Sequence, residues 1–477
     1  MSTLLAKNTL YLTLAAVGQK MIAFVYFLFL ARIMEPEATG AYFLAVSIAT
    51  MFSVIADFGI TPVIIREIAK RPDSAVHQLR IALGTKLPFI LLAVIGTLGA
   101  GYVLQYDARI ILLISLASLV LLLDSVHLLY YGALRGAQKL KYESVGIFLG
   151  QLVSAVSGGL VLWFHPSLSL LIFALVAGSL TNVLVSVTKS VRVYGSRILK
   201  PLWNWHETKH LLQVALPFAL AAIFVKVYSY VDSIFISKMI DTTAVGIYSI
   251  AYKFTYAFQF LPLAFIAAFY PGLSALVGKD PKKLEQTFMK GMWYMMLLAV
   301  PITFGIWLIA PEMVLLAGNG YEASAPVLQA LVFVLIPIFL DFPVGSLLNA
   351  SDRQATKTGI MGVTMVINVV LNALLIPHFQ VLGAAYAGLA SFAFMYLAGL
   401  YFVPQLIQGF SYTKMAKRLL PILGSGLLML VVGWSIKPLT SWIILIPVTA
   451  VVYITGLYLT GSVTKRDLQD ARNLLRN

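Results

Sequence analysis

Residues 10–45 read LYLTLAAVGQKMIAFVYFLFLARIMEPEATGAYFLA, and residues 216–251 read LPFALAAIFVKVYSYVDSIFISKMIDTTAVGIYSIA. Laid over each other without gaps, the two stretches are identical in 11 of 36 columns. Two unrelated apolar segments of such biased composition share about 3–5 columns. The identical columns include a lysine, a glycine and a tyrosine pair: Lys20 with Lys226, Gly40 with Gly246 and Tyr42 with Tyr248. This match indicates an internal duplication.

The composition is that of an all-α integral membrane protein. The chain has 477 residues, of which 60% are hydrophobic and 11% charged, whereas a soluble domain is about 45–50% apolar and 25% charged. The absence of cysteine excludes disulfides and thiolate metal sites, and the six histidines do not cluster at metal-ligand spacings. We therefore expect neither a metal site nor a cofactor. The net charge of +15 comes from basic residues in short loops, so we expect no nucleic-acid partner.

Hydrophobic stretches of about 20 residues predict about fourteen transmembrane helices. They cover residues 9–31, 41–62, 87–104, 110–134, 145–164, 168–188, 211–237, 244–270, 291–310, 326–348, 359–376, 382–403, 419–436 and 440–460. With the N-terminus in the cytoplasm, 27 lysines and arginines lie inside and 4 outside, as the positive-inside rule requires. This predicts a multi-pass protein of the cell (plasma or inner) membrane with both termini cytoplasmic.

The repeat predicts two six-helix lobes followed by two additional helices. The expected divisions are an N-terminal lobe, a cytoplasmic linker, a C-terminal lobe, the two further transmembrane helices and a cytoplasmic tail: 1–188, 189–210, 211–403, 404–461 and 462–477. Six spans separate the two copies, so both enter from the same side. This is a parallel repeat about a pseudo-two-fold axis along the membrane normal, and sites in such transporters lie near mid-membrane where the halves meet.

Lys20 and Lys226 lie near the middle of their predicted spans. A cation there costs about 2.5–3.5 kcal/mol on insertion scales, which marks a functional site. We expect the two lysines to form one anion-binding site, with Lys253 assisting from nearer the outer end of its span. The alternatives are an ion pair with a buried carboxylate such as Asp57, and for Lys253 snorkelling to the headgroups.

Five further residues are candidates for coupling transport to protons or sodium. They are the aspartates within spans and the neighbouring histidine: Asp57, Asp124, His127, Asp232 and Asp341. Asp124 and His127 are three residues apart, on one helix face, so they form either a proton relay or a neutral hydrogen-bonded pair. Tyr230 and Tyr252, in an aromatic-rich region, offer sugar rings an apolar face and a hydroxyl, or else serve ordinary helix packing.

Several segments resemble those of the multidrug/oligosaccharidyl-lipid/polysaccharide exporter superfamily, and most of all its polysaccharide transporter branch of Wzx-type lipid-linked oligosaccharide flippases. They are Phe29-Leu30-Ala31-Arg32-Ile33-Met34 with Gly40-Ala41-Tyr42, Asp57-Phe58-Gly59-Ile60, Leu134-Arg135-Gly136, Leu348-Asn349-Ala350 and Gly383-Ala384-Ala385-Tyr386. The resemblance covers essentially the whole chain, as a diffuse pattern without a catalytic signature.

This resemblance implies a flippase that moves a polyprenyl-(pyro)phosphate-linked oligosaccharide to the outer leaflet by alternating access. Its expected partners are that lipid-linked glycan, membrane lipids, and the glycan polymerase and glycosyltransferases of the same pathway, with the protein itself a monomer. A lipid II-type flippase and a cation-coupled multidrug antiporter of the same superfamily are the alternatives. A polymerase or glycosyltransferase is disfavoured, because the loops are too short for a catalytic domain, and we predict no enzyme activity.

Overall fold

Thirteen helices in the described part of the chain are long and apolar enough to cross a membrane. The computed structural model describes residues 2–463, and of these residues 2–14 and 267–268 by their backbone alone. These residues are almost entirely helical and contain no strand. The all-α membrane class predicted from the sequence is therefore confirmed, while the count of fourteen spans is not.

The chain divides into two compact units. The first holds the residues up to Ser249 with Ala317–Tyr321 and Val369–Ala384, and the second holds Ile250–Leu316, Glu322–Asn368 and the described residues from Ala385 onward. Eight helices lie wholly in the first unit: α1 (Ser2–Ile33), α2 (Pro36–Asp57), α3 (Ile60–Lys70), α4 (Ala75–Val103), α5 (Ala108–Gly136), α6 (Leu140–Phe164), α7 (Leu168–Tyr194) and α8 (Trp205–Met239).

The remaining helices begin with α9, which continues from the first unit into the second, as α15 does, whereas α14 continues from the second unit into the first. Their bounds are α9 (Thr242–Tyr256), α10 (Phe260–Ser274), α11 (Pro281–Leu315), α12 (Ser324–Leu331), α13 (Leu335–Ala350), α14 (Gln354–Phe379), α15 (Val381–Tyr401), α16 (Val403–Leu406), α17 (Tyr412–Ile436) and α18 (Trp442–Leu459).

The predicted span 244–270 accounts for the difference between thirteen and fourteen. It corresponds to α9 and α10, which have 15 residues each and are separated by the 3-10 turn Ala257–Gln259. Neither piece alone is long enough to cross the hydrocarbon core, which needs about 20 residues. A hydropathy profile averages over both helices and therefore does not reveal the turn between them.

The predicted span 41–62 also ends earlier, at Asp57, because the backbone leaves the helix there. Phe58 and Gly59 both adopt positive φ, 42° and 69°, and the separate helix α3 follows. A Cβ on Gly59 would lie 2.5 Å from the Ala215 carbonyl oxygen of α8. Glycine is required at this position both for its conformation and for the close approach of α8.

The duplicated segments meet in a reciprocal contact within the first unit. A Cβ on Gly40 of α2 would lie 1.9 Å from the carbonyl oxygen of Thr242 at the start of α9. A Cβ on Gly246 would lie 2.0 Å from the carbonyl oxygen of Pro36 at the start of α2. Thr242 is the repeat counterpart of Pro36, so each glycine contacts the partner's equivalent residue. Such an isologous contact is the local signature of a two-fold axis.

The two compact units do not coincide with the predicted lobes. The first unit extends beyond the predicted linker 189–210, since α8 packs on α2, α3 and α4. That linker is itself partly helical, because α7 continues to Tyr194 and α8 begins at Trp205, with the Asn204 side chain capping its first turn at 3.1 Å from the His206 nitrogen. The two six-helix lobes stay a prediction, and the tail 462–477 lies almost wholly outside the described residues.

Tyr321 fixes the turn between α1 and α2 in the first unit. Its hydroxyl donates to the Thr39 hydroxyl at 2.7 Å and to the Met34 carbonyl oxygen at 3.2 Å. Burial raises the pKa of Tyr321 to about 12, an effect that the Thr39 hydrogen bond partly offsets. The phenol therefore remains a protonated donor at neutral pH.

The second unit is built around α11, against which α17 and α18 pack. The Tyr453 hydroxyl of α18 donates to the Leu297 carbonyl oxygen at 3.0 Å. Lys437, at the end of α17, donates to the Leu308 carbonyl oxygen at 2.6 Å and pairs with Glu312 at 3.0 Å. The two C-terminal spans are therefore anchored to this unit by polar contacts along the length of α11.

Candidate functional site: a charged cavity in the first unit

Helices α2, α5 and α8 pack around a cavity of about 170 Å³ in the first unit. Its walls are mostly apolar, which follows from the hydrophobic composition of the three helices. Polar groups enter it from each helix: Thr50 and Ser53 from α2, Asp124 and Ser125 from α5, and Lys226 from α8. In the sequence these positions lie in separate predicted spans, and the fold brings them into the lining of one cavity.

Among the described residues, Lys226 is the one cationic side chain that lines this cavity. Its ammonium lies 5.6 Å from the centroid of the Tyr230 ring, one helical turn away, within cation–π distance. Asp124, across the cavity, is a source of electrostatic attraction for it. The half-buried lysine is thus held toward the cavity by a ring on its own helix and a carboxylate on α5.

Asp124 is fixed by two hydrogen bonds at one oxygen. Its Oδ1 accepts from the Ser179 hydroxyl at 2.6 Å and from His127 Nε2 at 3.1 Å. The side chain nevertheless remains 41% exposed, against 11% for His127. The Asp124 carboxylate therefore faces the cavity, and its hydrogen bonds to Ser179 and His127 set its orientation.

His127 is hydrogen-bonded to Asp124 through Nε2 at 3.1 Å. Its buried Nδ1 has no hydrogen-bond partner among the described side chains. Of the two sequence-based alternatives, the structure displays the hydrogen-bonded pair, and a proton relay stays a prediction.

Lys20 does not line the cavity that holds Lys226. Its side chain is exposed on α1, and no carboxylate among the described residues lies within 4 Å of it. Asp57, the alternative partner considered for it, is paired with a different lysine. The single site formed by both lysines stays a prediction.

Asp57 pairs with Lys86, which lies one residue before the predicted span 87–104. Lys86 Nζ lies 2.7 Å from Asp57 Oδ1 and 3.5 Å from the Thr61 hydroxyl, and Thr61 also donates to Asp57. The Lys86 side chain is only 1% exposed. This buried pair joins α4 to the break between α2 and α3. The signal that was missed is the mostly apolar segment 81–85 before Lys86, which already belongs to α4.

Asp232 and Glu143 are the two buried acidic groups among the described residues of the first unit. The Oδ2 atom of Asp232 accepts from the Tyr248 hydroxyl at 2.7 Å, and its Oδ1 accepts from the Asn372 amide at 2.7 Å. In the other copy of the repeat, Tyr26 replaces Asp232 and interacts with Tyr42, the counterpart of Tyr248. The tyrosine on the following helix is thus retained, and the carboxylate is specific to the second copy.

The other predicted residues belong to the second unit. Asp341 is electrostatically paired with Lys357, which lines the same small crevice. Tyr252 and Lys253 are adjacent on α9, and the Tyr252 ring lies 4.3 Å from that of Tyr256. This tilted pair fits aromatic packing within one helix, and the roles of Tyr252 and Lys253 in substrate binding stay predictions.

Comparisons with known proteins agree with this architecture. The family model "Polysaccharide biosynthesis protein" matches residues 5–277, and the model MatE matches residues 217–374. The probable low-salt glycan biosynthesis flippase Agl15 of Haloferax volcanii is 22% identical over 82% of this chain and 81% of its own length. The putative O-antigen transporter of Shigella flexneri is 23% identical over 57% of this chain and 67% of its own.

Among solved structures, the lipid II flippase MurJ in an inward closed conformation superposes with a TM-score of 0.76 at 14% identity. The similarity covers 96% of this chain and 99% of that one, and it concerns the fold. The sequence-based resemblance to this superfamily is therefore confirmed. Because one family model matches more than half of its residues, the chain belongs to the polysaccharide biosynthesis protein family.

Proposed function

We propose that the protein is a flippase that moves a polyprenyl-(pyro)phosphate-linked oligosaccharide from the cytoplasmic to the outer leaflet. The observation that carries this proposal is Lys226, a cation at mid-span facing a cavity with one balancing carboxylate. The relatives named as a glycan biosynthesis flippase and an O-antigen transporter support the same substrate class. The MurJ-like fold supports alternating access.

The charge arrangement suggests how an anionic headgroup is recognised. In the empty cavity Asp124 balances Lys226, so no uncompensated charge faces the membrane interior. A phosphate that enters competes with Asp124 for the ammonium; a unit charge pair at 4 Å is worth about 4 kcal/mol at an effective dielectric constant of 20. Ser179 and His127 keep Asp124 hydrogen-bonded when the phosphate displaces it. Lys20 and Lys253 are proposed to contact the substrate in other conformations, with Tyr230 and Tyr252 against its sugars.

Coupling to a proton or sodium gradient is proposed at Asp232. Asp57 and Asp341 each have a lysine neighbour, Lys86 and Lys357, which already supplies a positive charge. Asp232 is buried and accepts hydrogen bonds from the Tyr248 hydroxyl and the Asn372 amide, so a change in its protonation would act on a network that joins α8, α9 and α14. Asp124 with His127 is the second candidate, because a substrate that displaces Asp124 changes the surroundings of the histidine.

Transport rather than catalysis is proposed on two grounds. Within the described residues, no group of three or more histidine and acidic side chains could hold a metal ion, and the similar proteins are transporters. A cationic drug would meet Lys226 as a like charge, which disfavours the multidrug antiporter. The protein is proposed to act as a monomer with both termini in the cytoplasm, in a pathway with glycosyltransferases and a glycan polymerase.

The proposal is tested by reconstituting the full chain into proteoliposomes with two fluorescent lipids that carry the same oligosaccharide. One lipid is a polyprenyl pyrophosphate and the other an uncharged polyprenyl glycoside. Outer-leaflet exposure is followed by an impermeant quencher. We expect rapid flipping of the pyrophosphate lipid and flipping of the neutral lipid at no more than about a tenth of that rate, a difference of 1.4 kcal/mol in barrier.

Empty liposomes and liposomes with heat-denatured protein provide the background rate. Equal rates for the two lipids would remove the role of the cation in recognition. A rate for both lipids equal to background, with a cationic dye transported instead, would replace the flippase by the multidrug antiporter.

A further inference from the structure

A second basic pocket lies in the second unit, where α11 and α17 begin and α18 ends. It measures about 260 Å³ and is lined by Trp293 of α11, Lys417, Arg418 and Pro421 of α17, and Thr460–Ser462 after α18. A bulk water occupies about 30 Å³, so the pocket has room for several water-sized groups. Its residues have no part in the transport mechanism proposed above.

The pocket lies at the depth of the lipid headgroups. Two of the spans predicted from hydropathy begin at residue 291 in α11 and at residue 419 in α17, and the last span ends at residue 460. Trp293, Arg418 and Thr460 are all within two residues of these borders. Tryptophan concentrates at the membrane–water interface, which agrees with this placement.

Both cations of the pocket remain available to a ligand. No carboxylate in the described residues lies within 4 Å of Lys417 or Arg418, and no acidic side chain lines the pocket. The nearby Lys414 differs, because its ammonium is paired with Glu285 at 3.8 Å. Two adjacent, exposed cations without counter-ions form a local excess of positive charge.

Trp293 holds the walls of the pocket in a fixed arrangement. Its indole Nε1 donates to the Ser462 carbonyl oxygen at 3.2 Å, which ties the segment after α18 to α11. The Arg418 guanidinium lies 5.9 Å from the Trp293 ring centroid, within cation–π distance. The side chain of Trp293 is buried, so the floor is rigid and aromatic while the rim is basic.

We propose that Lys417, Arg418 and Trp293 form a binding site for the phosphate headgroup of an anionic phospholipid from the surrounding leaflet. Basic pockets between transmembrane helices at a membrane face bind such headgroups, and arginine matches phosphate oxygens with a bidentate fork. The acyl chains then extend along the apolar surfaces of α17 and α18. The bound lipid bridges α17 and α18 to α11 and stabilises the C-terminal spans.

The test measures the apparent Kd for the first lipid adduct by native mass spectrometry of the full chain in neutral detergent. Phosphatidylglycerol is titrated against phosphatidylcholine with identical acyl chains. The double variant Lys417→Gln/Arg418→Gln is compared with Lys279→Gln/Lys282→Gln, which removes the same charge from exposed positions in the same unit. We expect the first pair to weaken phosphatidylglycerol binding about 10-fold or more and the control pair to leave it unchanged.

The charge-conserving variant Lys417→Arg/Arg418→Lys keeps both cations and should retain phosphatidylglycerol, which separates charge loss from misfolding. Equal affinity for the two lipids, or unchanged binding in the Lys417→Gln/Arg418→Gln variant, overturns the proposal. Full displacement of phosphatidylglycerol by millimolar inorganic phosphate would assign the pocket to a soluble anion and also overturn the lipid assignment.

Discussion

The buried pair between Lys86 and Asp57 gives the sharpest prediction of stability. Asp57→Asn keeps the shape of the side chain but removes the charge 2.7 Å from an ammonium that is 1% exposed. Removing one partner of a buried pair costs about 3–5 kcal/mol, because the remaining charge is uncompensated. Lys86→Met leaves Asp57 22% exposed and still bonded to Thr61, so its cost is lower, about 1–3 kcal/mol.

The double variant Asp57→Asn/Lys86→Met removes both charges and is expected to be close to neutral, as for other buried pairs replaced by groups of similar volume. The assay is the melting temperature of the purified protein in detergent. We expect the order wild type and double variant, then Lys86→Met, then Asp57→Asn. The double variant should also retain glycan flipping, because Lys86 already serves as the counter-ion of Asp57 and coupling is proposed at Asp232. Additive losses in the double variant would refute the reasoning.

Three further predictions concern the repeat and the two other aspartates. Gly40→Ala or Gly246→Ala places a Cβ within about 2 Å of a facing carbonyl oxygen and should lower the stability of the folded protein by at least about 3 kcal/mol. The loss is measured as a loss of monodisperse protein in size-exclusion chromatography. The control Gly159→Ala, which has open space around its Cβ position, should have no effect. Asp232→Asn should abolish the dependence of flipping on an imposed ion gradient while downhill flipping continues; a retained gradient dependence would exclude Asp232. Asp124→Asn removes the carboxylate that attracts the cavity lysine and should tighten binding of the pyrophosphate lipid about 10-fold in a fluorescence titration; weaker binding would contradict the proposed competition.

The sequence predicted the membrane class and the duplication because both depend on patterns along the chain. The match of Gly40 with Gly246 indicated the duplication, and the structure adds that each glycine contacts the start of the other copy's helix. The helix break at residues 257–259 was not predictable from hydropathy, since apolar residues continue on both sides of the turn. Breaks of this kind depend on local backbone geometry that a window average removes.

The partners of the buried charges could not be predicted from the sequence. Asp57 was considered as a partner of Lys20, but it pairs with Lys86, which lies at the edge of an apolar run. The amide of Asn372 reaches Asp232 from 140 residues away, and no local pattern encodes that contact. Lys226 was singled out from the sequence by its mid-span position, whereas only the fold reveals Asp124 in the same cavity.

The most direct measurement of the central claim is the flipping rate of the pyrophosphate-linked oligosaccharide in proteoliposomes with Lys226→Gln, Lys226→Arg and Lys238→Gln. Lys238 is a matched control, since it is an exposed lysine on the same helix outside the cavity. The account predicts that Lys226→Gln slows flipping about 10-fold or more, that Lys226→Arg retains most of the rate, and that Lys238→Gln is unchanged. A wild-type rate in the folded Lys226→Gln protein would contradict the proposed recognition of the phosphate by this cavity.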